Sequence, residues 1–298
     1  MELRHLRYFI AVAEEMNFSR AAKKLNIAQP PMSQQIQALE RELNVQLFNR
    51  RRRPIELTVA GQFFLQEARK MLLQLDHSTH AVQQIGKGEK GTLTVGFTSS
   101  VANSILPNIS RSFQAQFPEV EVIWRELPTQ PQLQELRNRQ LNVGFFHLPE
   151  DLTDHTEIDI HVVLQESLVV VLPNNHLLAA ESQIKLASLA KEKLVLPNKY
   201  YALGLSEQIY ALFYKANIVP NVVQDATLML TILGLVAGGI GISILPENAR
   251  NLRRKGVVYR PLADVETSVN LAAFWHRNDD SPCLTNFLKI VKAETVSK

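Results

Sequence analysis

Two adjacent prolines, Pro30 and Pro31, constrain the folding of this chain more than any other sequence feature. Proline has a preset φ and no backbone N–H, so it is tolerated in the first turn of a helix and disfavoured further along. In the stretch that follows, "MSQQIQALEREL", apolar residues recur every three or four positions. This spacing predicts an amphipathic helix that starts at the prolines. Its predicted buried face consists of Met32, Ile36, Leu39 and Leu43.

The opposite face of this helix is polar but mostly uncharged, and it carries Ser33, Gln34 and Gln37. A glutamine amide offers a donor and an acceptor together to an adenine edge, and a serine hydroxyl serves a base or a phosphate. An ordinary solvated face is the alternative, although such a face more often carries Glu and Lys. A short helix with Ser19 as its expected N-cap precedes this one in "NFSRAAKKLN". The pair predicts a helix-turn-helix.

Positive charge is concentrated at the front of the chain. Residues 1–90 contain 14 Lys or Arg and 9 Asp or Glu, whereas residues 91–298 contain 18 and 20. A run of charge is by default a solvated surface, but next to a helix-turn-helix it suits a phosphate backbone. We therefore predict a two-stranded wing that has a basic tip and includes the β-compatible "IELTV". Residues 1–58 are then predicted to form a winged domain. The arginines expected on phosphates or in the minor groove are Arg50, Arg51, Arg52 and Arg53.

Cysteine content and hydropathy exclude several classes of protein. Cys283 is the only cysteine, so an internal disulfide and a Cys-rich metal site are excluded, and a reducing cytoplasm is expected. The first twenty residues lack the uninterrupted apolar stretch of a secretory signal. Residues 226–246 contain no charged side chain, but Gly238, Gly239 and Gly241 divide them into a helix, a turn and a strand. This division favours a buried unit over a membrane span.

A long helix is predicted between the winged domain and the rest of the chain, over residues 59–88. No proline occurs from Ala60 to Ile85, and apolar residues alternate at steps of four and three. Such a narrow stripe predicts a dimerisation helix, although it can also pack on its own domain. His77 and His80 have no third ligand in view, so no metal site is expected. The dimerisation residues are predicted to be Phe64, Ala68, Met71, Leu75 and Val82.

The segment "MELRHLRYFIAVAEEMNFSRAAKKLNIAQPPMSQQIQALERELNVQLFNRRRRPIELTVAG" resembles the amino-terminal signature of LysR-type transcriptional regulators, and the layout of the whole chain is similar to theirs. The resemblance implies an α/β protein with a mostly α winged helix-turn-helix and a long linker helix. It also implies a carboxy-terminal, two-lobed α/β effector domain like that of periplasmic solute-binding proteins. Two departures concern base preference: Ala28 replaces the commoner serine, and Gln34 stands where many relatives carry arginine.

The partners implied by this resemblance are double-stranded DNA with a partly palindromic operator, a small-molecule effector, further copies of the chain in a dimer of dimers, and RNA polymerase. No membrane partner is implied. The residues expected to enter the major groove are Gln29, Pro30, Pro31, Ser33, Gln34 and Gln37.

Residues 91–298 alternate short β-rich runs with helical patterns, which predicts α/β layers with ligands at the carboxyl ends of strands. The predicted strands are "TLTVGF", "VEVIWREL", "LNVGFF", "SLVVVLP", "KLVLP", "NVVQDA", "GISILP", "VVYRPL" and "NLAAFW". The resemblance implies a first lobe of residues 91–162 and 267–298 and a second lobe of residues 163–266.

Hydroxyl and imidazole side chains follow several of these predicted strands. Thr98, Ser99 and Ser100 come directly after "TVGF", where free N–H groups at a helix start suit a carboxylate, although simple N-capping is the alternative. By resemblance, Ser100 and Thr129 match positions that contact effectors in similar regulators. The remaining candidates for effector binding are His147, Asn198 and Tyr200.

Rival functions find little support in the motifs. "GFTSSVA" lacks the glycine spacing of a G-x-S-x-G nucleophile elbow, and "GGIGIS" lies before a strand rather than after one, unlike a dinucleotide-binding turn. An exported solute-binding protein has no use for a basic helix-turn-helix. We therefore expect a non-enzymatic transcriptional regulator without a cofactor. "MELRHLRYF" with "AQPP" resembles the branch that regulates aromatic-compound catabolism (benzoate, muconate or phenylpropenoate pathways), so the expected effector is a small aromatic or unsaturated carboxylic acid.

Overall fold

The structure is a computed structural model that describes residues 1–52, 54–150, 157–265 and 268–296. Its internal contacts divide the chain into two units, Met1–Gln84 and Ile85–Lys298, which are described one after the other. The first unit, called the head below, contains the predicted DNA-binding elements. The second unit contains the alternating strands and helices.

Three helices build the head: α1 (Leu3–Glu15), α2 (Phe18–Lys24) and α3 (Gln29–Leu43). The cap of α2 differs from the prediction, because the Asn17 side chain, not that of Ser19, accepts hydrogen bonds from the backbone N–H groups of Ser19 and Arg20. Both prolines lie in the first turn of α3, as the spacing predicts. The helix ends at Asn44, whose backbone is left-handed with φ of 53°.

The core of the head forms where α3 packs on α1 and α2. Met32, Ile36 and Leu39 are fully buried, and Phe9 and Phe48 approach each other with ring centroids 5.3 Å apart. Leu43, which was predicted for the buried face, is instead 36% exposed. The reason is its position in the last turn of α3, immediately before the left-handed residue that ends the helix.

A short antiparallel pair follows α3 and forms the wing: β1 (Phe48–Asn49) and β2 (Glu56–Leu57). The Glu40 carboxylate on α3 ties this wing to the helix, since its Oε1 accepts from the backbone N–H groups of Leu47 and Phe48 at 2.9 and 3.2 Å. Its Oε2 accepts from the Arg50 guanidinium at 2.9 Å. One carboxylate therefore sets where the wing begins.

The long helix α4 (Val59–Lys87) starts against the head. Ala68 is fully buried in the head core, and Phe64 packs there with its ring centroid 5.1 Å from that of Phe9. Further contact comes from Arg69, which donates to Glu14 on α1 at 2.9 Å. This hydrogen bond, followed by that from Lys24, lowers the pKa of the Glu14 carboxyl.

The second unit contains ten strands and six helices among its described residues. The strands are β3 (Lys90–Phe97), β4 (Glu119–Glu126), β5 (Val143–His147), β6 (Ile158–Glu166), β7 (Leu168–Pro173), β8 (Lys193–Pro197), β9 (Asn221–Ala226), β10 (Ser243–Pro246), β11 (Val257–Pro261) and β12 (Val269–His276). The helices are α5 (Ser99–Ala102), α6 (Leu106–Gln116), α7 (Thr129–Arg137), α8 (Leu203–Lys215), α9 (Met229–Ala237) and α10 (Pro282–Val296).

The first lobe is built on a five-stranded sheet in the order β4-β3-β5-β12-β6. Strand β3 runs parallel to β4 and β5, whereas β12 runs antiparallel to β5 and β6. One face is covered by a core that includes Phe113, Phe145 and Phe287. The other face packs Phe146 and Phe274 together with stacked rings 3.9 Å apart.

Strand β6, with the sequence "IDIHVVLQE", was not predicted. It lies at the edge of the sheet and pairs with β12 from Ile158 to Glu166, where polar residues such as Asp159 and Gln165 are tolerated because that edge reaches solvent. The predicted lobe boundary between residues 162 and 163 falls inside this strand and is corrected accordingly: the chain leaves the first sheet after Glu166. The predicted return at 266 and 267 lies outside the described residues.

The second lobe has a three-stranded antiparallel sheet in the order β10-β7-β11 and a parallel pair of β8 and β9. Backbone hydrogen bonds of 2.8 Å link Ile242, just before β10, to Lys193 and Val195 of β8. Helix α9 contributes Ile232, Leu233 and Val236 to the core over β7. The uncharged stretch that raised the membrane alternative thus forms a helix, a turn and a buried strand, and no helix of the described residues has both the length and the apolarity of a membrane span.

Gly61 is predicted to be essential for seating α4 on the head. A Cβ at this position would lie 2.1 Å from the Leu47 backbone oxygen, so Gly61→Ala should lower the stability of the head by about 1–3 kcal/mol through overpacking. Hydrogen exchange of the α1 and α3 amides measures this loss. Gly86→Ala in the same helix is the matched control, because nothing lies within 4 Å of its added Cβ. Equal protection in the two variants would contradict the prediction.

Candidate functional site

The outward face of α3 carries the residues predicted to read bases. Gln34 and Gln37 are exposed, and Ser33 is half-buried beside them. They lie opposite the buried face described above, as helical periodicity requires. Each exposed amide group presents a donor and an acceptor together. The first turn of the helix adds exposed side chains of Gln29, Pro30 and Pro31.

The arginines of the wing differ in what they contact. Arg50 donates to Glu40 and lies over the Phe18 ring at 5.4 Å, so its charge is largely neutralised within the head. The phosphate contact of Arg50, whose side chain also reaches solvent, stays a prediction. Arg52 forms an exposed ion pair with Glu56, which is weak in water, and the Arg51 side chain is exposed. Arg53 lies outside the described residues.

A cavity lies between the two lobes of the second unit. Five of the predicted effector residues line it, all from the first lobe: Thr98, Ser99, Ser100, Thr129 and His147. They come together because β3 and β5 are parallel, so that the residues after their carboxyl ends share one edge of the sheet.

Two residues that line this cavity carry a buried polar atom without a hydrogen bond. Thr98 Oγ1 and His147 Nε2 are buried and make no hydrogen bond to a described residue. Buried polar groups are normally paired, so Thr98 Oγ1 suits a polar ligand or water, whereas His147 Nε2 lies near the Glu166 carboxylate. Ser100 is 3% exposed and thus also lies inside the wall. The Gln132 amide supports the wall from behind, since its Oε1 accepts from the Phe145 N–H at 3.0 Å and its Nε2 donates to the Leu127 carbonyl at 2.7 Å.

A buried polar network lies behind His147. The Glu166 carboxylate is 7% exposed and accepts from Asn248 Nδ2 at 2.8 Å, and its Oε1 lies 3.7 Å from His147 Nε2. The three residues come from β5, from the end of β6 and from the turn after β10, so the network joins the two lobes where the chain passes between them. A second link between the lobes is the backbone hydrogen bond of 2.9 Å from Thr129 N–H to the Tyr201 carbonyl.

Two predicted effector residues do not reach the cavity. The Asn198 side chain is used locally, because its Oδ1 accepts from the N–H groups of Tyr200 and Tyr201 and its Nδ2 donates to Asp225. Tyr200 is 64% exposed, whereas its neighbour Tyr201 lines the cavity. N-capping by Thr98, the alternative role for this side chain, is not observed. Thr98 precedes α5, a helix of only four residues, but its side chain makes no capping hydrogen bond.

Sequence reasoning missed the apolar wall that the second lobe contributes. It includes Leu205, Leu228, Met229, Ile232 and Leu245. Leu228 and Met229 follow the carboxyl end of β9, so the rule on strand ends was a usable signal for them. Leu205 lies in a helix and Leu245 in a strand, and both have the apolar pattern of ordinary core elements. No local signal in the sequence distinguishes these two cavity residues from core residues.

Comparison with known families decides the identity of the chain. A model described as "Bacterial regulatory helix-turn-helix protein, lysR family" matches residues 3–62, and one described as "LysR substrate binding domain" matches residues 86–295. The chain belongs to the LysR family of transcriptional regulators. It is thus a transcriptional regulator with a helix-turn-helix DNA-binding domain and an effector-binding domain, and the resemblance seen in its sequence is confirmed.

Relatives in this family match nearly the full chain. The Hca operon transcriptional activator HcaR of Escherichia coli (strain K12) is 36% identical over 297 residues, covering 100% of this chain and 99% of the relative. The regulator AlsR of Bacillus subtilis (strain 168) is 35% identical over 290 residues, with 97% and 95% covered. The crystal structure of full-length CbnR with its target DNA has a TM-score of 0.86 at 29% identity, with 99% and 100% covered.

The dimerisation residues expected for a LysR-family helix divide into two groups. Phe64 and Ala68 pack in the head core, so the prediction was wrong for Ala68, which has no surface to offer a partner. Met71 and Val82 are 42% and 69% exposed, and Leu75 is half-buried. The same apolar spacing therefore has two roles along α4. In its first turns the apolar side chains pack in the head core, and further along they form a stripe that reaches solvent.

The buried network predicts a specific stability effect. Asn248→Leu should lower the free energy of unfolding of the second unit by about 2 kcal/mol, because it leaves the buried Glu166 carboxylate without its side-chain donor and with only the Asn248 backbone N–H at 3.4 Å. Denaturation followed by tryptophan fluorescence reports on this unit, since Trp124 and Trp275 are the two tryptophans of the chain.

Adding Glu166→Gln to this variant should recover part of the loss by removing the buried charge. Asn251→Leu, an exposed change in the same turn, is the control and should cost less than about 1 kcal/mol. A double variant as unstable as the sum of both single changes would contradict the assignment of Glu166 as a buried, donor-dependent charge.

Proposed function

We propose that this LysR-family regulator reads its operator with the outward face of α3. The support is the face itself, in which exposed Gln34 and Gln37 project away from a fully buried opposite side. An amide can pair with the N6 and N7 groups of adenine in the major groove. Gln29, Pro30, Pro31 and Ser33 extend this surface toward the start of the helix. Residues 1–58 act as the DNA-binding domain, and CbnR, whose structure with target DNA is similar in shape, supports this use of the head.

Arg51 and Arg52 are the proposed phosphate contacts of the wing. Both are exposed, and the ion pair of Arg52 with Glu56 is open to exchange for a phosphate because both partners are solvated. Arg53 belongs to the same proposal on its sequence position alone. Contacts of this kind position the protein on DNA and carry no sequence information.

The proposed effector is a small aromatic or unsaturated carboxylic acid bound between the lobes. Ser99, Ser100 and Thr129 supply hydroxyl donors on one wall, and His147 supplies an imidazole. The opposite wall is apolar with a tyrosine, which suits a ring or a planar chain. Glu126 also lines the cavity, but it is exposed to solvent, so its repulsion of an anion is screened.

Control of DNA binding is proposed to act through the lobes. An effector that contacts both walls binds the closed arrangement more tightly than an open one, and only such a difference in affinity can shift the population. The stripe of exposed Met71 and Val82 and half-buried Leu75 is the proposed dimer contact of the helix over residues 59–88. Closure then changes how paired units meet in a dimer of dimers on a partly palindromic operator, with RNA polymerase as a further partner.

The chain is proposed to act by binding alone, without catalysis and without a cofactor besides the effector. Its family consists of transcriptional regulators. The proposed place of action is the cytoplasm, where bacterial operators are found.

Two variants separate base reading from phosphate contact. Gln34→Ala should lower the affinity for the operator by about tenfold and leave that for random DNA unchanged, because one base contact is worth about 1–3 kcal/mol. Arg52→Ala should weaken both and reduce the salt slope by about one. Binding titrations at several salt concentrations measure this. Equal losses on both DNAs for Gln34→Ala would refute its role in base reading.

The effector site is tested by thermal shift with benzoate, muconate and cinnamate as probes. One of these acids should raise the Tm of the second unit, and Ser100→Ala should abolish the rise because a buried donor to the carboxylate is lost. Tyr200→Phe, which lies off the cavity, is the control and should keep it. Stabilisation by a cationic or strictly apolar compound in their place would overturn the carboxylate proposal.

A further inference from the structure

His5 on α1 is a buried histidine with two hydrogen bonds, one that completes the capping box at the start of α1 and one that crosses to α3. Its Nδ1 accepts from the Glu2 backbone N–H at 3.1 Å, and its Nε2 lies 2.6 Å from Gln35 Oε1 on α3. A neutral imidazole carries one proton, and an acceptor at Nδ1 leaves that proton on Nε2. His5 therefore donates to Gln35, across 30 residues of sequence.

Gln35 lies on the flank of α3, between its buried and outward faces. It is half-buried, next to the fully buried Ile36 in sequence and one position after the exposed Gln34. Its Oε1 accepts from His5, which turns the amide toward α1, whereas the amides of the exposed glutamines are open to a base edge. Its side chain is better suited to hold the helix than to read a base.

A directional bond adds what apolar packing of α3 does not supply. Burial of Met32, Ile36 and Leu39 is strong but largely non-directional, so it leaves small rotations of the helix about its axis inexpensive. A rotation of about 10° moves a side-chain tip that lies roughly 6 Å from the axis by about 1 Å. An error of this size is enough to spoil a two-point hydrogen bond to a base edge.

We propose that His5 is a positioning residue for DNA recognition, which fixes the rotation of α3 by its hydrogen bond to Gln35. The effect reaches DNA only through the outward face of the helix. This inference rests on the proposed base-reading role of that face.

Two substitutions of His5 separate its hydrogen bonds in the full-length chain. His5→Asn places an acceptor where Nδ1 lies and keeps the contact with Glu2, but it is too short to reach Gln35. His5→Gln places a donor where Nε2 lies and keeps the contact with Gln35. Gln35→Met removes the acceptor at nearly constant size. Gln62→Met, at an exposed position of α4, is the control for loss of an amide.

The readouts are affinity for operator and for random DNA, the salt slope and the hydrogen-exchange protection of the head. His5→Asn and Gln35→Met should each weaken operator binding by about tenfold, with less than a twofold change on random DNA and an unchanged salt slope. The double variant should lose no more than either single one, because both remove the same bond. His5→Gln should bind within about threefold of the parent, as should Gln62→Met.

Three results would overturn the inference: equal losses for His5→Asn and His5→Gln, equal losses on operator and random DNA, or losses that multiply in the double variant. Gln34→Ala, run in parallel, identifies which idea has failed. If it also leaves discrimination unchanged, the base-reading face itself is refuted. If it lowers discrimination while His5→Asn does not, the face stands and the role of His5 is refuted.

Discussion

Burial of one side of α3 against α1 and α2 is the contact on which the head depends. Met32, Ile36 and Leu39 have no exposed surface, and each such side chain contributes about 1.5–3 kcal/mol relative to an exposed one. Because a helix repeats every 3.6 residues, burying these positions turns the intervening glutamines to the outside. The same packing that stabilises the head therefore creates its polar surface.

Polar contacts then set the precision of this arrangement. Glu40 at one flank of α3 holds the backbone where the wing begins and neutralises Arg50, while Gln35 at the other flank is bound by His5. Glu40 and Gln35 both occupy positions that the sequence pattern assigns to the polar face of the helix. They differ from Gln34 and Gln37 in having partners inside the head, which leaves the latter pair free for DNA.

The second unit uses a different principle, in which two incomplete walls make one site. The first lobe supplies hydroxyls and His147 from the ends of its parallel strands, and the second lobe supplies most of the apolar surface. The network of His147, Glu166 and Asn248 lies where the chain passes from one lobe to the other. A ligand that contacts His147 thus meets a group connected to both lobes, which is a physical route from occupancy to lobe position.

Local pattern determined a large part of this protein without the structure. The prolines and the spacing after them predicted the start and the buried face of α3, and the run from Ala60 to Ile85 predicted a long helix close to the observed Val59–Lys87. Most strands of the second unit were also predicted, because buried β-rich runs are distinctive over a few residues. The rule on strand ends, together with the family resemblance for Ser100 and Thr129, located five of the cavity residues.

Only the tertiary structure decided which of two equivalent local patterns does what. Ala68 and Val82 share the same apolar spacing, yet one is buried in the head and the other is exposed. Tyr200 and Tyr201 are chemically identical neighbours, and only Tyr201 lines the cavity. Edge strand β6 escaped prediction because its stability comes from pairing with β12, which is more than 100 residues away. Such differences arise from partners that are distant in sequence, and local sequence patterns do not predict them.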